Sequence, residues 1–394
     1  MLENKKLNIL FLCSWYPNPE NPSNGIFIKR HAQALALHHN VTVLFVKSIS
    51  RTEEKVYTNV DDGNLNERCV FYPKLSLKIP LISSYLKLRK FKEEYEDLID
   101  DLPADKQFDI IHVNVIFPAA IPALYALKKY SSAQLFITEH WSGYYPEDGN
   151  YKGFYLKDIT KKIVQKAKAI FVISEKLKNS MQSNGLVGNY ELINNVVDTF
   201  VFKPLQTKKS DDEVLKILHV SSLVNREKNI SGIISVAEKL LKQNIRFQLT
   251  IVGKNDGEII EHKNAVHQKK LNNHVVFAGY KTPDEIALLM NQSDVFLLLS
   301  HFEGMPVVLL ESISCGLPII TTNVGHVKTM VKPGMGIILS NEQVNDECVK
   351  YLMEFKKMKF LASEEMHQYV VANYGMETVC NSLTQLYLKY LGNA

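Results

Sequence analysis

Short, continuously apolar runs alternate with helix-period segments along almost the whole of this 394-residue chain, and that rhythm restricts its fold class. A strand built almost wholly of apolar residues has no solvent face. It must be covered on both sides, and strands joined through helices run parallel. The pattern predicts strands at 7–15, 41–48, 108–115, 134–140 and 170–174, with helices at 26–39 and 118–130. It then restarts, with strands at 216–223, 247–253, 274–279, 295–300, 318–324 and 336–340 and a helix at 229–243. Thr282-Pro-Asp-Glu285 opens a further helix: Thr282 can cap, Pro283 suits the first turn, and Glu285 can reach back to the cap. The stretch 202–213 between the two runs is polar, aperiodic and carries Pro204, so it reads as a linker. Helical material runs from about Glu342 to Leu391. Two α/β domains follow, in keeping with roughly 150 residues per domain.

Composition removes several function classes. Apolar residues at 46% and charged residues at 22% allow a large core and exclude general disorder. A net charge of +4 is too small a bias to make nucleic acid the main partner. The five cysteines, Cys13, Cys69, Cys315, Cys348 and Cys380, contain no Cys-x-x-Cys pair, which argues against a zinc or redox centre and for free thiols in a reducing compartment. No run approaches the roughly 18 apolar residues that cross a bilayer, and 7–13 is too short for a secretory signal. The expected location is cytoplasmic.

The most informative stretch is Ser300-His-Phe-Glu-Gly-Met-Pro-Val-Val-Leu-Leu-Glu-Ser-Ile-Ser-Cys-Gly-Leu-Pro318. Pro306 sits where a helix begins and Gly316 where it stops. Val307, Val308, Leu309, Leu310 and Ile313 make that helix apolar around most of its circumference, yet Glu311 lies inside it. A buried carboxylate is costly unless hydrogen bonds satisfy it. It is either a structural ion pair or an acceptor for ligand hydroxyls such as those of a ribose, at the strand ends where open α/β sheets take ligands. Arg226 and Lys228 follow one strand and precede a helix, a placement that suits a diphosphate and equally a solvated loop. Gly25 precedes the helix at 26–39, either as a plain turn or to let backbone approach a phosphate.

These segments resemble the retaining family 4 glycosyltransferases. Glu303 and Glu311 match the two positions of that family's Glu-x7-Glu signature, and Cys-Gly-Leu-Pro-Ile-Ile-Thr follows as in the family. Asn24-Gly25-Ile-Phe resembles its glycine turn. Asp109-Ile-Ile-His112 and Ile137-Thr-Glu-His140 resemble its histidine-bearing strand ends. Val172-Ile-Ser174-Glu175, Ile193-Asn-Asn195-Val-Val-Asp198 and His219-Val-Ser-Ser-Leu-Val-Asn-Arg-Glu-Lys228 match further landmarks. The sequence departs from the pattern at Ser222, where many members carry arginine, and at His326 and Thr329, where a glycine and an acid are usual.

The resemblance implies the GT-B fold, with two Rossmann-like domains facing an interdomain cleft. Residues 1–203 form an acceptor-binding domain, joined by the last helix at about 376–394, and 204–375 form the nucleotide-sugar domain. It also implies a retaining, metal-independent transfer from a nucleotide sugar, UDP being expected, to a hydroxyl of a glycan or lipid-linked acceptor of a bacterial surface polysaccharide. The implied catalytic residues are His140, facing the donor sugar, Glu303 and Lys228. The donor-binding set is Gly25, Ser222, Arg226, Lys228, Glu303, Gly304, Met305, Pro306 and Glu311, with His112 in support. No cofactor is expected. No Asp-x-Asp motif or ligand-spaced His/Asp/Glu cluster exists, so no metal site is expected either. A dehydrogenase is disfavoured because no Gly-x-Gly-x-x-Gly follows a strand. A non-catalytic sugar-nucleotide binder or partner subunit is the alternative. Two lysine-rich runs, 74–92 and 152–168, are either solvated faces or a peripheral contact with anionic membrane.

Overall fold

The apolar runs become parallel strands of two sheets in the computed structural model, which describes residues 5–50, 52–75, 80–205, 213–254, 257–340 and 343–392. Part of the expected linker (206–212), Glu342, and Lys78 of the first basic run lie outside the described residues. The chain divides into two units, Met1–Val196 with Met376–Ala394, and Val197–Gly375.

In the N-terminal unit the strands are β1 (Asn8–Cys13), β2 (Asn40–Ile49), β3 (Val56–Asp62), β4 (Leu65–Pro73), β5 (Ile110–Asn114), β6 (Gln134–Glu139), β7 (Ala169–Val172) and β8 (Tyr190–Leu192). Their order is β3-β4-β2-β1-β5-β6-β7-β8. Among the described residues only β3 runs antiparallel to its neighbouring strand. The β3–β4 hairpin is an addition to the expected pattern. All of β3 is exposed, so it has no buried face to write an alternation into the sequence. Its signal is the Asp62-Gly63 turn, where Gly63 has a φ of +61°.

The helix expected over 26–39 spans Ile26–Ala36 and packs Ile28, Ala32 and Leu35 on the sheet. The last helix, Met376–Leu391, lays Val379, Cys380, Leu383 and Tyr387 into the same core. His39 Nε2 meets Thr384 Oγ1 at 2.7 Å across these two segments.

In the C-terminal unit the strands are β9 (Leu215–Val220), β10 (Phe247–Val252), β11 (Val275–Gly279), β12 (Val295–Leu298), β13 (Ile319–Thr322) and β14 (Gly336–Leu339). All are parallel, in the order β11-β10-β9-β12-β13-β14. The expected capping box at Thr282 is present, with Glu285 N donating to Thr282 Oγ1 and Thr282 N donating to Glu285 Oε2. Phe202, expected in the linker, is instead buried, and its carbonyl accepts Ser314 Oγ at 2.6 Å. An aromatic ring at the rim of a core has more to gain from burial than from solvent.

Candidate functional site

Strand order in the C-terminal unit reverses between β9 and β12. The chain leaves β9 toward one edge of the sheet and β12 toward the other, so the loops at their carboxyl ends diverge and leave a crevice. The motifs singled out in the sequence sit on these two loops. After β9 comes a short helix, Asn225–Lys228, which ends at Asn229 in the left-handed conformation (φ 53°). Asn229 then caps the helix Ile230–Lys242 through Gly232 N at 3.1 Å and donates from Nδ2 to Leu299 O at 3.1 Å. His301 N donates to Glu227 O at 2.8 Å. The two loops are thereby stitched together by backbone and amide groups.

Lys228 Nζ lies 2.7 Å from Glu303 Oε1, and Ser300 Oγ donates to the same oxygen at 2.7 Å. The lysine and glutamate side chains are only 18% and 11% exposed. A third loop, after β13, packs against the Glu303–Gly304 backbone. Gly325 has a φ of +57°, and a Cβ there would stand 2.3 Å from Gly304 O. His326 N donates to that same carbonyl at 3.0 Å. The family's glycine is therefore required at Gly325, while the next position tolerates His326 because it contributes its backbone N–H.

Pro306 is the N-cap of the helix Val307–Ser314, just outside it, and the helix carries no acid in its first turn. Its amino end therefore offers uncompensated N–H groups to an anion. Gly316 ends it with a φ of +70°, and Leu317 N returns to Ser312 O at 3.0 Å. Glu311 is buried within it at 8% exposure. The Cys315 thiol is pushed up first by its own burial and then by the Glu311 charge. Met305 is buried, whereas Ser222 and Arg226 are exposed on the β9 loop. Among the described residues neither Ser222 nor Arg226 is bonded to the Lys228–Glu303 pair.

His219 and Ser300 stand in the motifs read from the sequence, without a role of their own there. His219 is buried, with Nδ1 on Leu297 O at 2.8 Å and Nε2 on Ser221 Oγ at 2.7 Å, tying β9 to β12 where the sheet order reverses. Burial, and secondarily the Lys228 charge, lowers its pKa to about 4. A histidine inside an otherwise apolar strand is the signal that could have found it.

The remaining predicted residues, Gly25, His112 and His140, belong to the N-terminal unit. Gly25 has a φ of +64°, and a Cβ there would lie 2.6 Å from the backbone of Trp15, so this turn demands glycine whatever it binds. Both ring nitrogens of His112 are occupied, by Tyr387 Oη at 2.5 Å and Thr138 Oγ1 at 2.6 Å, and burial lowers its pKa to about 3. It is a fixture of the core. His140 differs. Its ring lies against Phe27 at 4.3 Å, and its buried Nε2 has no hydrogen-bond partner among the described residues. Burial holds its pKa well below the usual imidazole range, with smaller contributions from His31 and His112.

The basic run 152–168 forms the helix Phe154–Lys166, which buries Ile159, Thr160, Ile163 and Val164 and leaves Phe154 88% exposed. In the first run Arg89, Lys90 and Lys92 pair with Glu93, Glu94 and Glu96 one turn on, so much of its charge is neutralised. Among the described residues no group of three or more His, Cys, Asp or Glu side chains could hold a metal ion, and no helix is long and apolar enough to cross a membrane. A cavity of about 220 Å³ lined by Asn40, Asp61, Asn64, Arg68 and Lys106 opens at the amino ends of β2 and β4.

Two family models match the chain. The model for glycosyl transferases group 1 matches residues 203–373, and the model for glycosyltransferase family 4 matches residues 25–200. The amylovoran biosynthesis glycosyltransferase AmsK of Erwinia amylovora is 30% identical over 135 residues, 32% of this chain and 32% of AmsK. The chain spans less than half the length of the first curated relatives it matches. Sucrose-phosphate synthase from Thermosynechococcus elongatus shares the fold with a TM-score of 0.76 at 18% identity, over 99% of this chain and 100% of that one. Anabaena Alr3699/HepE in complex with UDP and glucose gives a TM-score of 0.70 at 15% identity, over 97% of this chain and 100% of that one. With the two parallel sheets, the Glu303/Glu311 motif and its β9–β12 setting, the chain belongs to the group 1, family 4 glycosyltransferases and has the GT-B fold.

Proposed function

We propose that this protein is a retaining glycosyltransferase that moves a sugar from a nucleotide sugar, with UDP as the nucleotide, to a hydroxyl of a glycan or lipid-linked acceptor, without a metal ion. The observation that carries the reading is the Lys228–Glu303 pair at the β9–β12 reversal, next to the uncompensated amino end of the helix Val307–Ser314. The complex of HepE with UDP and glucose, a protein of the same fold, supports UDP as the nucleotide.

In this reading residues 204–375 hold the donor and residues 1–203, with the last helix, hold the acceptor. Glu311 accepts the ribose hydroxyls. Glu303 and the backbone of Gly304, Met305 and Pro306 orient the sugar and phosphates. As the bond from the anomeric carbon to the diphosphate oxygen breaks, negative charge gathers on the leaving group, and Lys228, Arg226 and the helix N–H groups stabilise it. The acceptor oxygen attacks from the face the diphosphate leaves. Its proton passes to a phosphate oxygen, so the nucleoside diphosphate departs carrying it, and the configuration of the sugar is retained. Gly25 shapes the turn on the acceptor side, and neutral His140 offers a ring nitrogen to the donor sugar. Ser222 contributes a hydroxyl where an arginine would bring charge, which leaves more of the phosphate neutralisation to Lys228.

The exposure of Phe154 on a lysine-rich helix supports a peripheral contact with anionic lipid on the acceptor side. The departure at Ser222 favours a second reading, a binder of sugar nucleotides without turnover. A thermal-shift screen against UDP, GDP and ADP sugars, repeated with Glu311→Ala and followed by assay of released nucleoside diphosphate, separates the two. Stabilisation by UDP sugars that is lost in the variant, together with release, supports the transferase. Stabilisation with no release across a broad donor and acceptor panel supports the binder.

A further inference from the structure

We propose that Glu139 is a positioning residue, whose carboxylate fixes the backbone from which His140 projects. The inference rests on the reading above, in which His140 faces the transferred sugar. Glu139 ends β6 and is fully buried. It accepts four hydrogen bonds from two separate segments: His140 N at 2.7 Å and Trp141 N at 2.8 Å on Oε1, and Ile116 N at 3.0 Å and Tyr144 Oη at 3.1 Å on Oε2. Three of the four are backbone N–H groups that can only donate, and both carboxyl oxygens accept them, while burial pushes the Glu139 pKa up against these bonds.

A buried charge is costly to keep, and a neutral cap would close one loop at less expense. What the carboxylate adds is a rigid joint between the loops that follow β5 and β6. The far side of the joint is locked as well. The Trp141 ring covers Gly143 so closely that a Cβ there would stand 2.1 Å from it, and the rings of Tyr144 and Tyr151 pack 4.8 Å apart. Within this clamp the imidazole of His140 keeps a buried Nε2 without a partner among the described residues. Glu139 thus acts through His140 and touches no substrate.

The test compares wild-type protein with Glu139→Gln and Tyr144→Phe. In the first, either orientation of the amide sets its N–H groups against at least one backbone donor, and the second removes the Tyr144 hydroxyl while keeping the ring. Release of UDP is followed with UDP-glucose, UDP-galactose and UDP-N-acetylglucosamine, and the His140 imidazole ¹³C–¹H resonance, assigned through His140→Gln, is followed in parallel. In Glu139→Gln kcat is expected to fall about 10- to 100-fold, as a misplaced reacting group would produce. KM for the sugar nucleotide should stay within about twofold, because its diphosphate is held in the other unit. Tyr144→Phe should lose about 3- to 10-fold in kcat by the same route. In both variants the His140 resonance shifts or broadens. An unchanged His140 resonance overturns the proposal, as does an unchanged kcat or a rise in KM alone. If Glu139→Gln does not fold, Tyr144→Phe is judged by the same criteria. If the wild-type protein releases no UDP from any donor across the broad acceptor panel, the transferase reading fails, and the resonance still decides the role of Glu139.

Discussion

Lys228 Nζ and Glu303 Oε1 stand 2.7 Å apart although 75 residues separate them in the chain. The contact exists because β9 and β12 are neighbours in the sheet and the loops that follow them are tied together through His301 N on Glu227 O and Asn229 Nδ2 on Leu299 O. In the proposed reaction this pre-formed pair holds both side chains in place before a diphosphate arrives, which lowers the reorganisation left for the moment of reaction.

Lys228→Met should lower kcat for sugar transfer by about 100- to 1000-fold, the usual cost of removing one group that stabilises developing charge. Arg226→Ala, on an exposed side chain of the same loop, should cost less. Steady-state kinetics with a UDP sugar measures both, and an equal loss would mean that Lys228 has no special place.

The same pair predicts a coupling in stability. Removing either partner leaves the other largely buried charge without its counterion, so the double variant Lys228→Met/Glu303→Gln should be more stable than the sum of the singles, by about 1–2 kcal/mol. Urea denaturation of the four proteins closes the cycle. Simple additivity would show that the contact is absent in solution.

Gly325→Ala should impair the site from outside it. The left-handed backbone and the 2.3 Å approach to Gly304 O leave no room for a methyl group, so the β13 loop must move off the Glu303 loop. A lower melting temperature with weaker UDP binding is expected. His326→Ala keeps the N–H that bonds Gly304 O and should change UDP binding far less. Differential scanning fluorimetry and titration calorimetry distinguish them.

Stability should fall with acid over a defined window. Burial keeps His31 and His219 neutral, with pKa values of about 4, and His112 at about 3. In the unfolded chain each titrates near 6.5, so below that pH the unfolded state binds protons that the folded state refuses. The stability these imidazoles contribute is complete above about pH 6.5 and declines as pH drops toward 4. At pH 5 each should cost about 2 kcal/mol. Melting curves from pH 7.5 to 4.5 test this, and a flat profile down to pH 5 would contradict it.

The lysine-rich helix carries a prediction that needs no substrate. Vesicles containing phosphatidylglycerol should float the protein, vesicles of phosphatidylcholine alone should not, and Phe154→Ser with Lys157→Glu and Lys161→Glu should abolish flotation without lowering the melting temperature. Equal behaviour on both vesicle types would remove the membrane from the account.

Much of this was legible in the sequence for one physical reason: parallel strands buried on both faces must be apolar throughout, so β1, β5, β6, β12 and β13 announce themselves. Caps and stops were equally readable at Thr282, Pro306 and Gly316, where backbone geometry restricts the residue type. The β3–β4 hairpin escaped because β3 buries nothing. The pairing of Lys228 with Glu303 was not written in either loop, since it depends on the order of strands in the sheet. His112 and His140 look alike in sequence, each a histidine after an apolar run, although His112 lies inside β5 and His140 just past β6. Tyr387, 275 residues further along, separates their roles by taking up a ring nitrogen of His112. Glu139 was invisible for the same reason, its four donors coming from folded loops.

The most direct test of the central claim is a crystal structure of the protein with UDP. The diphosphate should lie within hydrogen-bond reach of Lys228 and the amino end of the helix Val307–Ser314, with the ribose hydroxyls on Glu311. A nucleotide bound elsewhere, or a Glu311 carboxylate that contacts only protein groups in the complex, would contradict it.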